Sequence, residues 1–270
     1  MAATEAQIRV NGVTLHTHAA GAGDPLILIH GSLADHTSWH QVAPKLAASF
    51  RVLAYDRRGH SRSQRTDGPR SVHEDDLAAL IEALDLAPAH LAGNSYGASI
   101  ALGLASRRPD LVRSVIAHEP PLLGVGQRIP DLEPQMRAVQ ALLDGVADQL
   151  RTGDTRAGAA RFIEEITLGP GTWEQLPAQL RQTMVVNAPT FLETMNDPHW
   201  ADLAVQALSR VSCPILLTNG ERSPPWFAPL MTELTRLLAR AERHTFPGAG
   251  HVPAITHPAQ YVDTICSFIP

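Results

Sequence analysis

Ala89-His-Leu-Ala-Gly-Asn-Ser95-Tyr-Gly-Ala-Ser-Ile100 is the stretch whose reading decides the fold. A short run, Ala89–Ala92, leads into Gly93-Asn-Ser95-Tyr-Gly97, and an Ala- and Leu-rich segment continues to Arg107 before Pro109. The pattern predicts a strand, a tight turn and a helix. Glycines at 93 and 97 permit a bend that holds Ser95 on strained backbone, with its hydroxyl at the top of a sheet. Composition alone produces a Gly-x-Ser-x-Gly in about one chain of this length in ten, so the strand–turn–helix context carries the signal. The competing reading is a tight turn whose serine caps a helix.

Outward from that bend the chain alternates short apolar runs with helix-length segments. Leu26–Ile29, Val52–Tyr55 and Val112–Ala117 read as strands, with helices over about Ser38–Ala48 and Ser71–Leu84. Such alternation implies a mostly parallel sheet covered on both faces. Gln7–Val10 and Thr14–Ala19 flank Asn11-Gly12, which predicts an edge hairpin. After Pro120-Pro121 the alternation stops. Gln135–Leu150, Thr155–Thr167 and Trp173–Val186 read as helices with proline breaks, and strand character resumes at Pro214–Thr218 and Arg243–Phe246. The expected organisation is therefore one core of residues 1–120 and 211–270, with 121–210 inserted as a helical cap.

Composition narrows the class. The 270 residues are 44% hydrophobic and 18% charged, with a formal net charge of −5. A sizeable core can form, and no basic field exists to draw in a nucleic-acid backbone. Arg57, Arg58, Arg62, Arg65 and Arg70 are followed at once by Glu74, Asp75 and Asp76, the mark of a solvated charged loop. Cys213 and Cys266 lack metal-ligand spacing; Cys213 opens an apolar run and is expected as a buried free thiol. The opening Met-Ala-Ala-Thr-Glu-Ala has no basic segment followed by an apolar one, and no apolar run reaches the ~20 residues of a membrane span. The expectation is a cytoplasmic protein acting on a small molecule, with no nucleic-acid or membrane partner. Its oligomeric state is open, a homodimer included.

A serine hydroxyl is a weak nucleophile until a base takes its proton. Phe246-Pro-Gly-Ala-Gly-His251 sets His251 in a glycine-rich loop between the last strand-like run and a final helix. His30 reads as structural, and His16, His18 and His40 as exposed or packing residues. His16 and His18 alternate along a strand without a third ligand of matching spacing, so no metal site is expected. No phosphate-cradling loop is present, and no cofactor is expected.

Leu28-Ile-His30-Gly31-Ser32, Tyr55-Asp-Arg-Arg-Gly-His-Ser61, Gly93-Asn-Ser95-Tyr-Gly97 and Gly248-Ala-Gly-His251 resemble, in the same order, the landmarks of α/β-hydrolase enzymes. The resemblance covers nearly the whole chain outside the cap. It implies a mostly parallel eight-stranded sheet and an oxyanion hole made by the backbone N–H groups of Ser32 and Tyr96. Each such donor is worth about 3–4 kcal/mol of transition-state stabilisation. Asp56 is, by the same resemblance, structural.

The triad acid departs from the commonest pattern. Many relatives carry an Asp three residues after the glycine ending the penultimate strand, where this chain has Ser223 in Asn219-Gly-Glu-Arg-Ser223. A neutral hydroxyl cannot stabilise the imidazolium formed on His251. Glu119 and Glu221 are the candidates. His118-Glu119-Pro120-Pro121 is similar to zearalenone-type lactonases, which, like haloalkane dehalogenases, take their acid from the end of the strand after the nucleophile strand. Glu119 is thereby the expected acid, a strand-end cap being its bland alternative.

The expected activity is hydrolysis of a carboxylic ester or lactone through an acyl-Ser95 intermediate. Carbon–carbon bond hydrolysis, perhydrolysis and a hydrolase-derived small-molecule receptor stand as alternatives. Dehalogenase and epoxide hydrolase chemistry need a carboxylate where Ser95 stands. Trp173, Met184 and Phe191 from the cap, together with Trp226, are expected to line a hydrophobic substrate pocket.

Overall fold

The computed structural model describes residues 3–269; Met1 and Ala2, which open the segment read for a leader, lie outside them. Eight strands form one sheet: β1 (Thr4–Val10), β2 (Val13–Ala20), β3 (Pro25–Ile29), β4 (Arg51–Tyr55), β5 (Ala89–Asn94), β6 (Val112–His118), β7 (Ile215–Gly220) and β8 (Ala241–Phe246). Their order is β1-β2-β4-β3-β5-β6-β7-β8. β1 pairs with β2, and β2 with β4, antiparallel; every later pairing is parallel. The edge hairpin turns on Asn11 (φ 45°) and Gly12 (φ 74°), both left-handed as a two-residue turn between twisted strands demands.

Side chains alternate across the central strands and so define two cores. Leu26, Leu28, Ala92, Ile116 and Leu216 face one side and pack with Trp39, Leu46, Tyr261 and Ile265. These come from a 3₁₀ turn (His36–Trp39), α1 (Ala43–Leu46) and the C-terminal helix Pro258–Phe268. Ile27, Ile29, Leu91, Val115, Ala117, Ile215 and Leu217 face the other side, against α2 (Arg70–Ala83) and α3 (Tyr96–Arg107). The stretch expected as one helix over Ser38–Ala48 is thus two short pieces, because Pro44 lacks the N–H that a continuous helix needs and sits instead in the first turn of α1.

Everything between β6 and β7 is helical or loop: α4 (Leu123–Gly126), α5 (Glu133–Arg151), α6 (Thr155–Arg161), α7 (Ala178–Asn187), α8 (Thr190–Asn196) and α9 (Val205–Leu208). Two expected helices are interrupted. Past Arg161 the chain widens into a π-helical turn, Phe162–Thr167, and Pro177 separates a 3₁₀ turn at Trp173–Gln175 from α7. Leu143, Val146, Phe162, Phe191 and Trp200 of this segment belong to the same apolar cluster as the sheet. Polar bonds reinforce the contact. Asn187, fully buried, accepts from Ser61 N–H (2.8 Å) and donates to Ala34 O (3.0 Å). After β7 come α10 (Phe227–Leu237), then, past β8, α11 (Pro253–Thr256) and α12 (Pro258–Phe268). No described helix is long and apolar enough to cross a membrane.

Candidate active site

Ser95 stands between β5 and α3 with φ 54° and ψ −121°, backbone that an L-residue adopts at a cost of ~1–3 kcal/mol. Its neighbours show why the bend needs glycine. A Cβ on Gly93 would lie 2.5 Å from the Gly97 carbonyl carbon, and one on Gly97 would collide with the Ile29 and His30 carbonyls. The strain is held by Ser95 N–H, which donates to His118 O at 2.8 Å.

Parallel β6 lies beside β5, so the residue after β6 emerges at the same sheet edge as Ser95. That residue is Glu119, fully buried and also left-handed (φ 47°). Its Oε2 accepts from His251 Nδ1 at 2.5 Å and its Oε1 from Gly220 N–H at 2.8 Å. Burial pushes this carboxyl up, but the His118 ring 3.6 Å away and the His251 bond outweigh it and hold it below the usual range. The His118 ring is itself buried, which drives its pKa down to about 4 despite Glu119. Glu221 is elsewhere: it is exposed and accepts from Gly248 N–H at 2.7 Å. Ser223 keeps its hydroxyl buried close to Gly220, on the side of the Glu119 carboxylate. Phe227 stacks on the His251 ring, centroids 5.0 Å apart and the planes 20° from parallel.

The loop after β3 abuts the nucleophile: a Cβ on Gly31 would lie 3.2 Å from Ser95 Cβ. Among the described residues neither Ser32 N–H nor Tyr96 N–H finds a protein acceptor. His30 anchors this loop, accepting Arg57 N–H at 2.9 Å, while Arg57 donates to the carbonyls of His30 and Gly31. Asp56 bonds His36 Nδ1 (2.6 Å), His36 N–H (2.9 Å) and Arg62 N–H (3.0 Å), which organises the two loops around it.

Two cavities meet at Ser95. The larger, about 850 Å³ with its mouth, is lined by Ser32, Ser95 and His251 and by Ile163, Leu180 and Met184. The second, about 380 Å³, adds Phe191, Trp200 and Trp226. Met184, Phe191 and Trp226 thus line space that reaches Ser95. Trp173 lines neither: it is buried in the core, with the Arg156 guanidinium 5.7 Å above its ring. Sequence reading passed over Ile163, Leu168, Leu176 and Leu180; the i, i+4 spacing of Leu176, Leu180 and Met184 was the available signal. It also passed over His118 as a neighbour of the acid.

Two further expectations change. His16, expected at a surface, is 1% exposed, and Glu5 and His36 join it in a cluster of metal-ligating side chains. His118, Glu119 and His251 form another such cluster, but there the short His251–Glu119 bond already occupies the facing atoms. Cys213 is half-buried instead of buried; Cys266 is exposed, and both are free.

The alpha/beta hydrolase family model matches residues 26–264. The chain is 30% identical over 284 residues to 2-hydroxymuconate semialdehyde hydrolase of Pseudomonas sp. (strain CF600), covering 97% of this chain and 93% of that one. It is 27% identical over 266 residues to the pimeloyl-[acyl-carrier protein] methyl ester esterase of Sodalis glossinidius, covering 95% and 98%. Among solved structures, the enol-lactonase from Burkholderia xenovorans LB400 superposes with a TM-score of 0.82 at 22% identity, over 98% of this chain and 99% of that one.

Proposed function

The chain belongs to the alpha/beta hydrolase family, and from that premise we propose that it is a serine hydrolase cleaving a carboxylic ester or lactone of a small, largely apolar molecule. The observation that carries this reading is the 2.5 Å bond from His251 to Glu119, at the sheet edge where Ser95 sits on its strained bend. In the proposed reaction His251 takes the Ser95 proton as Oγ attacks the acyl carbon. The N–H groups of Ser32 and Tyr96 receive the developing oxyanion. His251 then returns the proton to the leaving alcohol, and in a lactone that alcohol stays tethered as a hydroxy acid. Water, deprotonated by the same histidine, releases the acid from Ser95. Glu119 acts throughout on the imidazolium, which its ionised carboxylate stabilises.

The cavity walls support this substrate class. Among the described residues, His30 and His251 are the titratable side chains lining the larger cavity, and Phe162, Ile163, Leu168, Leu176, Leu180 and Met184 line it from the helical segment between β6 and β7. A substrate carboxylate beside the scissile bond would lose its water there without a cationic partner, which is costly. An uncharged acyl or alkyl portion fits these walls. The lactonase-like placement of Glu119 and the ester- and lactone-cleaving relatives add to the same reading.

A second reading, hydrolysis of a semialdehyde of the kind in the relative's name, is favoured by 30% identity over nearly the whole chain. Acid release measured by pH-stat across uncharged lactones, uncharged esters and a carboxylate-bearing semialdehyde separates the two. Turnover of the uncharged members that vanishes in Ser95→Ala supports the proposal. Turnover of the charged semialdehyde alone refutes it.

A further inference from the structure

The hairpin edge of the sheet carries a cluster of histidines outside both cavities. β1 and β2 place Glu5 directly opposite His18 and Gln7 opposite His16. In an antiparallel ladder these side chains share one face. His36, which opens the 3₁₀ turn, packs onto that face, its ring centroid 4.9 Å from His16 and 6.2 Å from His18. His40 approaches His36 to 5.9 Å from the other end of the turn. One ligand atom each from Glu5, His16 and His36 lies within 4.8 Å of the other two.

Several features separate this cluster from an ordinary polar surface. Asp56, fully buried, binds His36 Nδ1 at 2.6 Å, leaving Nε2 as the free ring nitrogen. A carboxylate on the far nitrogen is how metal-binding histidines are oriented and made more basic. His16 is 1% exposed, and among the described residues its buried Nε2 finds no hydrogen-bond partner. A buried ring nitrogen left unpaired carries a desolvation penalty, which a bound cation on that ring would offset. Asp35 is committed elsewhere, accepting from Thr37 N–H at 2.9 Å and Ser61 Oγ at 2.7 Å. Glu5 pairs with Arg62 at 2.8 Å, both side chains about half exposed (48% and 53%), a contact of little net worth that the carboxylate can leave.

We propose that Glu5, His16 and His36 bind a divalent transition-metal ion of the zinc class, with His18, His40 or water completing four-fold coordination. Two imidazoles and one carboxylate suit zinc and do not suit the oxygen-seeking calcium or magnesium. Bonds of about 2.0–2.1 Å put tetrahedral donors about 3.4 Å apart. Donors already within 4.8 Å reach that spacing by small side-chain rotations. The ion would join the first strand to the loop after β3 and, through His36, to Asp56. It would act as a clamp on the sheet edge and take no part in the reaction at Ser95.

The test is calorimetric titration of the chelator-treated full chain with zinc chloride, and separately with calcium chloride. One zinc and no calcium per chain are expected, with a rise in melting temperature. Glu5→Gln, His16→Gln and His36→Gln should each weaken zinc binding about tenfold or more, and His251→Ala should leave it unchanged. Glu5 is exposed, so Glu5→Gln keeps the test decisive if a histidine variant misfolds. Absence of zinc binding overturns the proposal. So does binding that ignores Glu5→Gln, or binding lost only in His251→Ala, which would place the ion at the His118–Glu119–His251 cluster.

Discussion

His251 and Glu119, 132 residues apart, are joined by a 2.5 Å hydrogen bond inside a fully buried site. The carboxylate reaches the histidine from the end of β6, while position 223 holds a neutral, buried serine hydroxyl. On the proposed mechanism, Glu119→Gln keeps the shape of the site but removes the charge that faces the His251 imidazolium. Its kcat should fall by about 10³–10⁴, and Glu221→Gln should stay within about twofold of wild type. Steady-state kinetics on the best uncharged substrate decides it. Ranking in the reverse order would move the acid to Glu221.

Leu180 and Met184, one helical turn apart on α7, wall the larger cavity. Leu180→Trp should fill the space that the proposed function assigns to a long acyl or alkyl chain. On long-chain esters kcat/KM should drop at least about tenfold, since each buried methylene is worth about 0.8 kcal/mol, while acetyl esters should be nearly unaffected. Equal losses on both would mean the acyl chain lies elsewhere.

Glu193 sits on α8 beside Asp67, and burial together with that carboxylate pushes its pKa up to about 8. A carboxyl raised in the folded state loses its stabilising contribution as pH climbs from its unfolded value toward 8. Glu193→Gln should therefore melt higher than wild type at pH 8.5 and close to it at pH 5. Melting curves by circular dichroism at both values test the sign.

Burial lowers the pKa of His30, His60 and His73 well below the ordinary histidine value, and takes His90 and His118 down to about 4. Between that value and the unfolded one near 6.5, the unfolded chain binds more protons than the folded chain. Stability should fall steadily as pH drops through this window. His90→Gln should flatten the slope, because His90 stands away from the site and bonds only Ser114 Oγ, at 2.7 Å. An unchanged slope in that variant would remove His90 from the account.

The sheet, the bend at Ser95 and the loop bearing His251 were legible because each is a local pattern: short unbroken apolar runs, glycines flanking a serine, a glycine-rich loop before a helix. Helix continuity was less legible. Pro44 and Pro177 start new helices where apolar spacing suggested one, and the π-helical turn at Phe162–Thr167 leaves no mark in side-chain periodicity. Trp173 failed as a pocket residue because a large apolar side chain serves core and cavity equally well, and only packing separates the two. His16 looked like one of a pair on a surface strand because its partners, Glu5 and His36, come from another strand and a later loop.

By itself the sequence determined the sheet, the bend that carries Ser95 and the loop that carries His251, since backbone sterics and short apolar runs act over a few residues and are written in order along the chain. It left Glu119 and Glu221 as candidate acids, and the resemblance of His118-Glu119-Pro120-Pro121 favoured Glu119. Only the tertiary structure decided which carboxylate meets His251, what walls the cavity and where the histidines gather. Those are contacts between residues far apart in the chain, and they exist only once strand order and helix packing have brought the groups within a few ångströms, where hydrogen bonding and desolvation take effect.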